Sequence, residues 1–162
     1  MMPSFTTRAA RTDDLDAMVA LLPRLADYEL PDNRSAEMFW TSDAELLRAW
    51  AKAGVDEAGG AGAVIVRVGV DEADRVAAVA IVSMNKDHFS GEPNAHLEVI
   101  VVGPEADGHR LGRTLIAEMQ AEAKARGAIT MSLHVVGNNH RARKVYQDLG
   151  FDEEMIRAIR FL

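Results

Sequence analysis

A β-branched run, a glycine-bracketed loop and an apolar-periodic segment follow one another over residues 99–116, VIVVGPEADGHRLGRTLI. No other stretch restricts the fold as much. Val99 to Val102 reads as a buried strand that ends at Gly103-Pro104. Gly108 and Gly112 bracket the start of the next segment, in which Leu111, Leu115, Met119 and Ala123, with Ile116 beside them, recur at helical spacing. Strand, tight loop and helix together leave the first helical amides without intrahelical partners, and the helix dipole favours an anion there. The loop has neither the G-x-x-x-x-G-K-S/T spacing nor the G-x-G-x-x-G spacing of nucleotide loops. On the residues alone, a phosphate-binding loop and an ordinary βα connection both remain open.

The 162 residues are enough for one domain, 1–162, with a real core. There is no cysteine, which excludes disulfides, thiolate catalysis and a cysteine-based zinc site. A formal net charge of −7 argues against nucleic acid as a partner and favours cationic small molecules. No apolar run reaches the length of a membrane span, and the N-terminus lacks a signal peptide's charged and apolar regions, so a cytoplasmic protein is expected. The five histidines form no metal-ligand spacing, and no metal is expected.

Along the chain, residues 5–9 read as a strand. Thr12 is placed to cap a first helix whose buried stripe is Leu15, Met18, Val19 and Leu22. Aromatics gather irregularly over 27–41, either as plugs of the core or as a loop over a substrate. Ser42-Asp43-Ala44-Glu45 has the form of a capping box, with Leu46, Leu47 and Trp50 continuing the second helix. Residues 54–62 hold glycines and few large side chains, as a connector would. Two β-rich runs, 63–70 and 76–84, flank an acidic turn and read as a hairpin, and the strand 95–102 extends it to an antiparallel meander. After the central helix come a strand over 130–136, a helix carrying Ala142, Val145, Tyr146 and Leu149 on one face, and a last strand over 155–162. The order β-α-α-β-β-β-α-β-α-β is that of a mixed α/β sheet with helices on its faces.

Two motifs give the second half a family likeness. Val102 to Arg113 resembles the pyrophosphate-binding segment, Arg/Gln-x-x-Gly-x-Gly/Ala, of the GNAT superfamily of acyl-CoA-dependent N-acetyltransferases. Asn139 to Phe151, NHRARKVYQDLGF, resembles its second signature, N-x-x-A-x-x-x-Y-x-x-x-G-F, and matches every fixed position. The first motif departs from the pattern: Asp107 stands where the leading Arg or Gln is usual, and Arg110 stands where the central glycine is usual. Asp107 must then point away from a pyrophosphate, and Arg110 is placed to pair with one.

The resemblance implies a GNAT fold, with a mixed but mostly antiparallel sheet of six or seven strands and about four flanking helices. It implies acetyl transfer from acetyl-CoA to a primary amine of a small molecule or peptide by direct attack, with no protein nucleophile. The alternatives are transfer of a longer acyl group and a non-catalytic acyl-CoA-binding module. A homodimer is compatible with either. Ile100, Val101 and Val102 would offer backbone to the pantetheine arm, Gly108, His109, Arg110, Leu111, Gly112 and Arg113 would hold the pyrophosphate, and Asn139 would touch the cofactor from its helix.

Tyr146 is the residue that the resemblance offers to the departing thiolate. Its place on an apolar helix face equally suits a core tyrosine. A phenol near 10 against a thiol near 8.5 makes complete proton transfer uphill by roughly 2 kcal/mol, so a hydrogen bond to the thiolate is its expected contribution. Glu98 is the candidate base. Strict alternation places it on one face with His96, Ile100 and Val102, about 13 Å back from Val102 along the strand. A solvated surface carboxylate would look the same in sequence, and His96 is the runner-up base.

Overall fold

The structure, a computed structural model, describes residues 2–53 and 63–162. The glycine-rich connector read over 54–62 lies outside the described residues. The strands are β1 (Thr6–Ala9), β2 (Val64–Val70), β3 (Val76–Lys86), β4 (Pro93–Val102) and β5 (Thr130–Leu133). The α-helices are α1 (Leu15–Leu21), α2 (Thr41–Ala53), α3 (Leu111–Ala125) and α4 (His140–Asp148). In the sheet the strands lie in sequence order, β1 to β4 antiparallel and β5 parallel to β4. The parallel step requires a crossover, which α3 supplies.

Helices cover both faces of the sheet, so its central strands are apolar on both sides. On one face Ala78, Ala80, Val82, Ala95 and Leu97 meet Leu111, Leu115, Ile116 and Met119 of α3. On the other, Val66, Val68, Val79, Ile81, Val99 and Val101 meet Met18 of α1, Leu22 just after it, and Ala44, Leu47 and Trp50 of α2. The mixed α/β class and the antiparallel meander are as expected. No helix of the described residues is long and apolar enough to cross a membrane.

Four expectations are corrected. Among the described residues the sheet has five strands rather than six or seven, because 155–162 forms no strand. Those residues have a strand's apolar composition but no ladder, and Met155, Ile156, Ile159 and Phe161 are exposed. The strand over 130–136 likewise stops at Leu133. Thr12 does not cap the first helix. The buried carboxylate of Asp14 accepts from the Arg11 backbone N–H at 2.7 Å and from Arg8 Nη1 at 2.7 Å, and the Arg8 guanidinium holds that carboxyl below its usual range. Finally, α2 begins at Thr41, with the Ala44 N–H donating to the Trp40 carbonyl at 3.0 Å. Ser42 and Asp43 therefore lie inside the first turn, and Asp43 is free for another use.

Candidate active site

The site begins where β4 and β5 part. They pair only from Asn94↔Thr130 to Leu97↔Leu133, whereas β4 runs on to Val102. Beyond Leu97 no strand among the described residues lies beside that edge of β4. The Gly103 N–H donates to the Ala77 carbonyl of β3 at 2.6 Å. Backbone groups alternate along a strand, so those of Val101 also turn toward β3, while those of Ile100 and Val102 face the opening. Arg24 Nε donates to the Val102 carbonyl at 2.8 Å, as that orientation requires.

A bulge marks the parting point. Ile81 pairs with Val99 and Val82 with Leu97, leaving Glu98 as the extra residue. Two consecutive residues of a bulged strand then share a side. Val99 packs with the α1 and α2 cluster, whereas Ile100 and Val102 pack with Leu97 on the α3 side. The expectation that Glu98 shares a face with Ile100 and Val102 is thereby corrected, because the bulge inverts the alternation between them. The Ser83 hydroxyl donates to Glu98 Oε1.

His96 remains beside Glu98. Its Nδ1 lies 2.8 Å from Ser132 Oγ, and its ring centroid 4.6 Å from that of His134. Burial holds the His96 imidazole below its usual value; Glu98 opposes that effect and His134 adds to it. Asp43, which sequence reasoning took for part of a cap, approaches from α2. Its carboxyl is pushed up to about 6, first by burial and then by the negative charge of Glu98. Among the described residues neither Asp43 nor Glu98 has an ion-pair partner. The one sequence signal for Asp43 was an acidic residue in a helix's first turn.

At the other end of the open edge lies the loop to α3. A 3-10 turn, Pro104–Ala106, leads through Asp107 to Gly108 at φ +82° and Arg110 at φ +59°, the N-cap of α3. The left-handed backbone at Arg110 explains why glycine is usual there; a side chain in it costs roughly 1–2 kcal/mol. Arg110 is exposed and without an ion pair among the described residues. Asp107 points to Arg24, whose Nη2 lies 3.4 Å from its Oδ2. At Gly112 an added Cβ would stand 3.3 Å from Val102 Cγ2, so the helix start sits close against β4. The Leu111 side chain is buried over Gly69, leaving only its backbone for a ligand. His109 packs edge-on against Phe5, their centroids 5.0 Å apart. Arg113 reaches Asp148 of α4 at 3.6 Å.

The helix α4 supplies the remaining candidates. Asn139 is its N-cap, Oδ1 accepting the Ala142 N–H at 3.2 Å. Tyr146 packs partly buried against the α3-side cluster, 6.0 Å from the Phe151 ring centroid. Burial pushes its phenol above the usual value. Its hydroxyl donates to no side chain or carbonyl among the described residues.

An extended, amide-bearing ligand with a diphosphate at one end fits this layout: an open strand edge at Ile100 and Val102, then a glycine-bearing loop at a helix start. Residues 22–151 match the Acetyltransferase (GNAT) family. The chain is 37% identical over 84 residues to ribosomal protein bS18-alanine N-acetyltransferase of Salmonella typhimurium, covering 52% of this chain and 53% of that protein. It is 35% identical over 68 residues to mycothiol acetyltransferase of Saccharomonospora viridis, covering 42% of this chain and 22% of the relative. The matched region thus spans about half the length of the first relative and less of the second.

Among solved structures, glucosamine-6-phosphate N-acetyltransferase of Arabidopsis thaliana superposes with a TM-score of 0.65 at 19% identity, covering 98% of each chain. AAC(6')-Iy, in complex with a bisubstrate analog containing CoA, gives 0.70 at 20% identity, covering 98% of this chain and 99% of that one. These two show the fold. With most of its length inside the family match, the chain belongs to the Acetyltransferase (GNAT) family.

Proposed function

We propose that the chain moves the acetyl group of acetyl-CoA to a primary amine of a small molecule or peptide by direct attack. The observation that carries this reading is the open edge of β4, with the α3 helix start at one end and Glu98, freed by the bulge, at the other. The pantetheine arm lies along Ile100 and Val102. The pyrophosphate rests on the amides from Gly108 to Arg113, and the Asn139 amide touches the cofactor from α4.

The amine enters as an ammonium, drawn by Asp43 and Glu98. Glu98 takes its proton, directly or through one water, and the freed nitrogen attacks the thioester carbonyl. The C–N bond forms, the C–S bond breaks, and the thiolate leaves toward Tyr146. A phenol raised by burial remains protonated at neutral pH, so Tyr146 stabilises the thiolate chiefly by donating a hydrogen bond.

The test is thiol release from acetyl-CoA across amines of graded basicity. Amine-dependent release is expected, and Glu98→Gln lowers kcat/KM at least tenfold on an amine with pKa near 10 and far less on one that is already neutral. No amine-dependent release from any of them rejects the transfer. An equal defect on all of them makes Glu98 a binding charge rather than a base.

A further inference from the structure

Arg24 joins parts of the molecule that no sequence motif connects. It belongs to the 3-10 turn Leu22–Ala26 that follows α1, and its guanidinium reaches the end of β4. Nε donates to the Val102 carbonyl at 2.8 Å, and Nη2 lies 3.4 Å from Asp107 Oδ2. The third nitrogen, Nη1, is 3.8 Å from Asp27 Oδ2, beyond hydrogen-bond distance. A guanidinium carries five N–H donors in a fixed fork. Among the described residues only two of those donors are engaged, and the side chain keeps 32% of its surface exposed.

Its position matters as much as its spare donors. Val102 is the last residue of the open edge, and Asp107 precedes the glycine that turns the loop into α3. An extended ligand that follows the edge and ends in a diphosphate at the helix start passes this point where its neutral arm becomes anionic. A carboxylate alone at position 107 would repel that anion. With Arg24 against it the local charge is cancelled, and the fork is oriented by two fixed acceptors.

We propose that Arg24 is a further cationic ligand of the CoA pyrophosphate: anchored by the Val102 carbonyl and steered by Asp107, it presents its remaining N–H groups to a phosphate oxygen beside the α3 amides. The assignment rests on the reading of this groove as an acyl-CoA site. The turn after α1 thus supplies a positive charge that offsets the carboxylate at position 107, and Asp107 becomes the residue that aims it. Charge-assisted, forked contacts of this kind are the strong ones in phosphate recognition.

The experiment compares acetyl-CoA with S-acetylpantetheine, which has the same thioester arm and no pyrophosphate. Arg24→Ala is expected to raise KM for acetyl-CoA about tenfold with kcat within about threefold, and to lower kcat/KM for S-acetylpantetheine by less than about threefold. Arg24→Lys, which keeps the charge but not the fork, falls between. Asp107→Ala raises KM for acetyl-CoA by less than Arg24→Ala does. An equal loss on both thioesters overturns the proposal, because Arg24 would then only shape the strand edge. A lower KM in Asp107→Ala overturns the steering role. Calorimetric binding of CoA and of pantetheine repeats the comparison without turnover. If no amine is acetylated but Arg24→Ala still removes a preference for CoA over pantetheine, the phosphate site stands and the transfer reading falls. If CoA binds wild type and Arg24→Ala equally, the phosphate site falls.

Discussion

Asp43 shows how a single side chain can work against the stability of the fold that holds it. Its carboxyl, half-buried beside Glu98 and pushed up to about 6, forms no ion pair among the described residues. Between the unfolded value near 3.9 and about 6 the native state binds more protons than the unfolded chain. Stability from this group therefore falls as pH rises through that window and is lowest above it. Asp43→Asn is expected to raise Tm at pH 7.5 by more than at pH 4.5, and to lower kcat/KM for cationic amines. Thermal denaturation at the two pH values checks the first, and equal gains at both would contradict it. The places of Tyr146 and Asn139 on and at the start of α4 were legible in the sequence because a local motif carries them. Asp43 and Arg24 were not, because what gives each its meaning, Glu98 for one and Val102 and Asp107 for the other, lies far along the chain and meets it only in the fold.

Between α3 and β4 the spacing of two elements decides how a ligand is held. An alanine methyl at position 112 would meet Val102 Cγ2 at 3.3 Å, pressing the helix start away from the strand edge by a few tenths of an ångström. The same substitution improves helix propensity by up to about 1 kcal/mol, which offsets the strain. Gly112→Ala is therefore expected to leave stability within about 1 kcal/mol of wild type while raising KM for acetyl-CoA severalfold, measured by thermal denaturation and steady-state kinetics. Periods of two and 3.6 made the strands and α3 readable in advance. The bulge at Glu98 was not, since no glycine or proline interrupts the run from Leu97 to Val102. Nor could the apolar residues of 155–162 reveal that no ladder would take them up, because composition records burial preference and not pairing.

For the whole molecule, a ligand that binds only the folded chain adds to its stability by mass action, about 2.7 kcal/mol at a hundred times Kd. For a domain of this size that corresponds to a rise in Tm of roughly 5–10 °C. CoA is expected to produce such a concentration-dependent rise, with NAD and ATP producing much less, and no rise at millimolar CoA would remove the cofactor assignment. The stability so gained is not evenly spread. Four residue pairs tie β5 to β4, and α4 contains no fully buried residue. The wall of the groove bearing Asn139 and Tyr146 is thus fastened far more lightly than the wall formed by β4 and α3. Local opening there takes less free energy than melting the sheet. A ligand bridging the two walls gives up part of its binding enthalpy to the conformational entropy lost when the lighter wall becomes ordered, so affinity depends on how often that wall is closed before the ligand arrives.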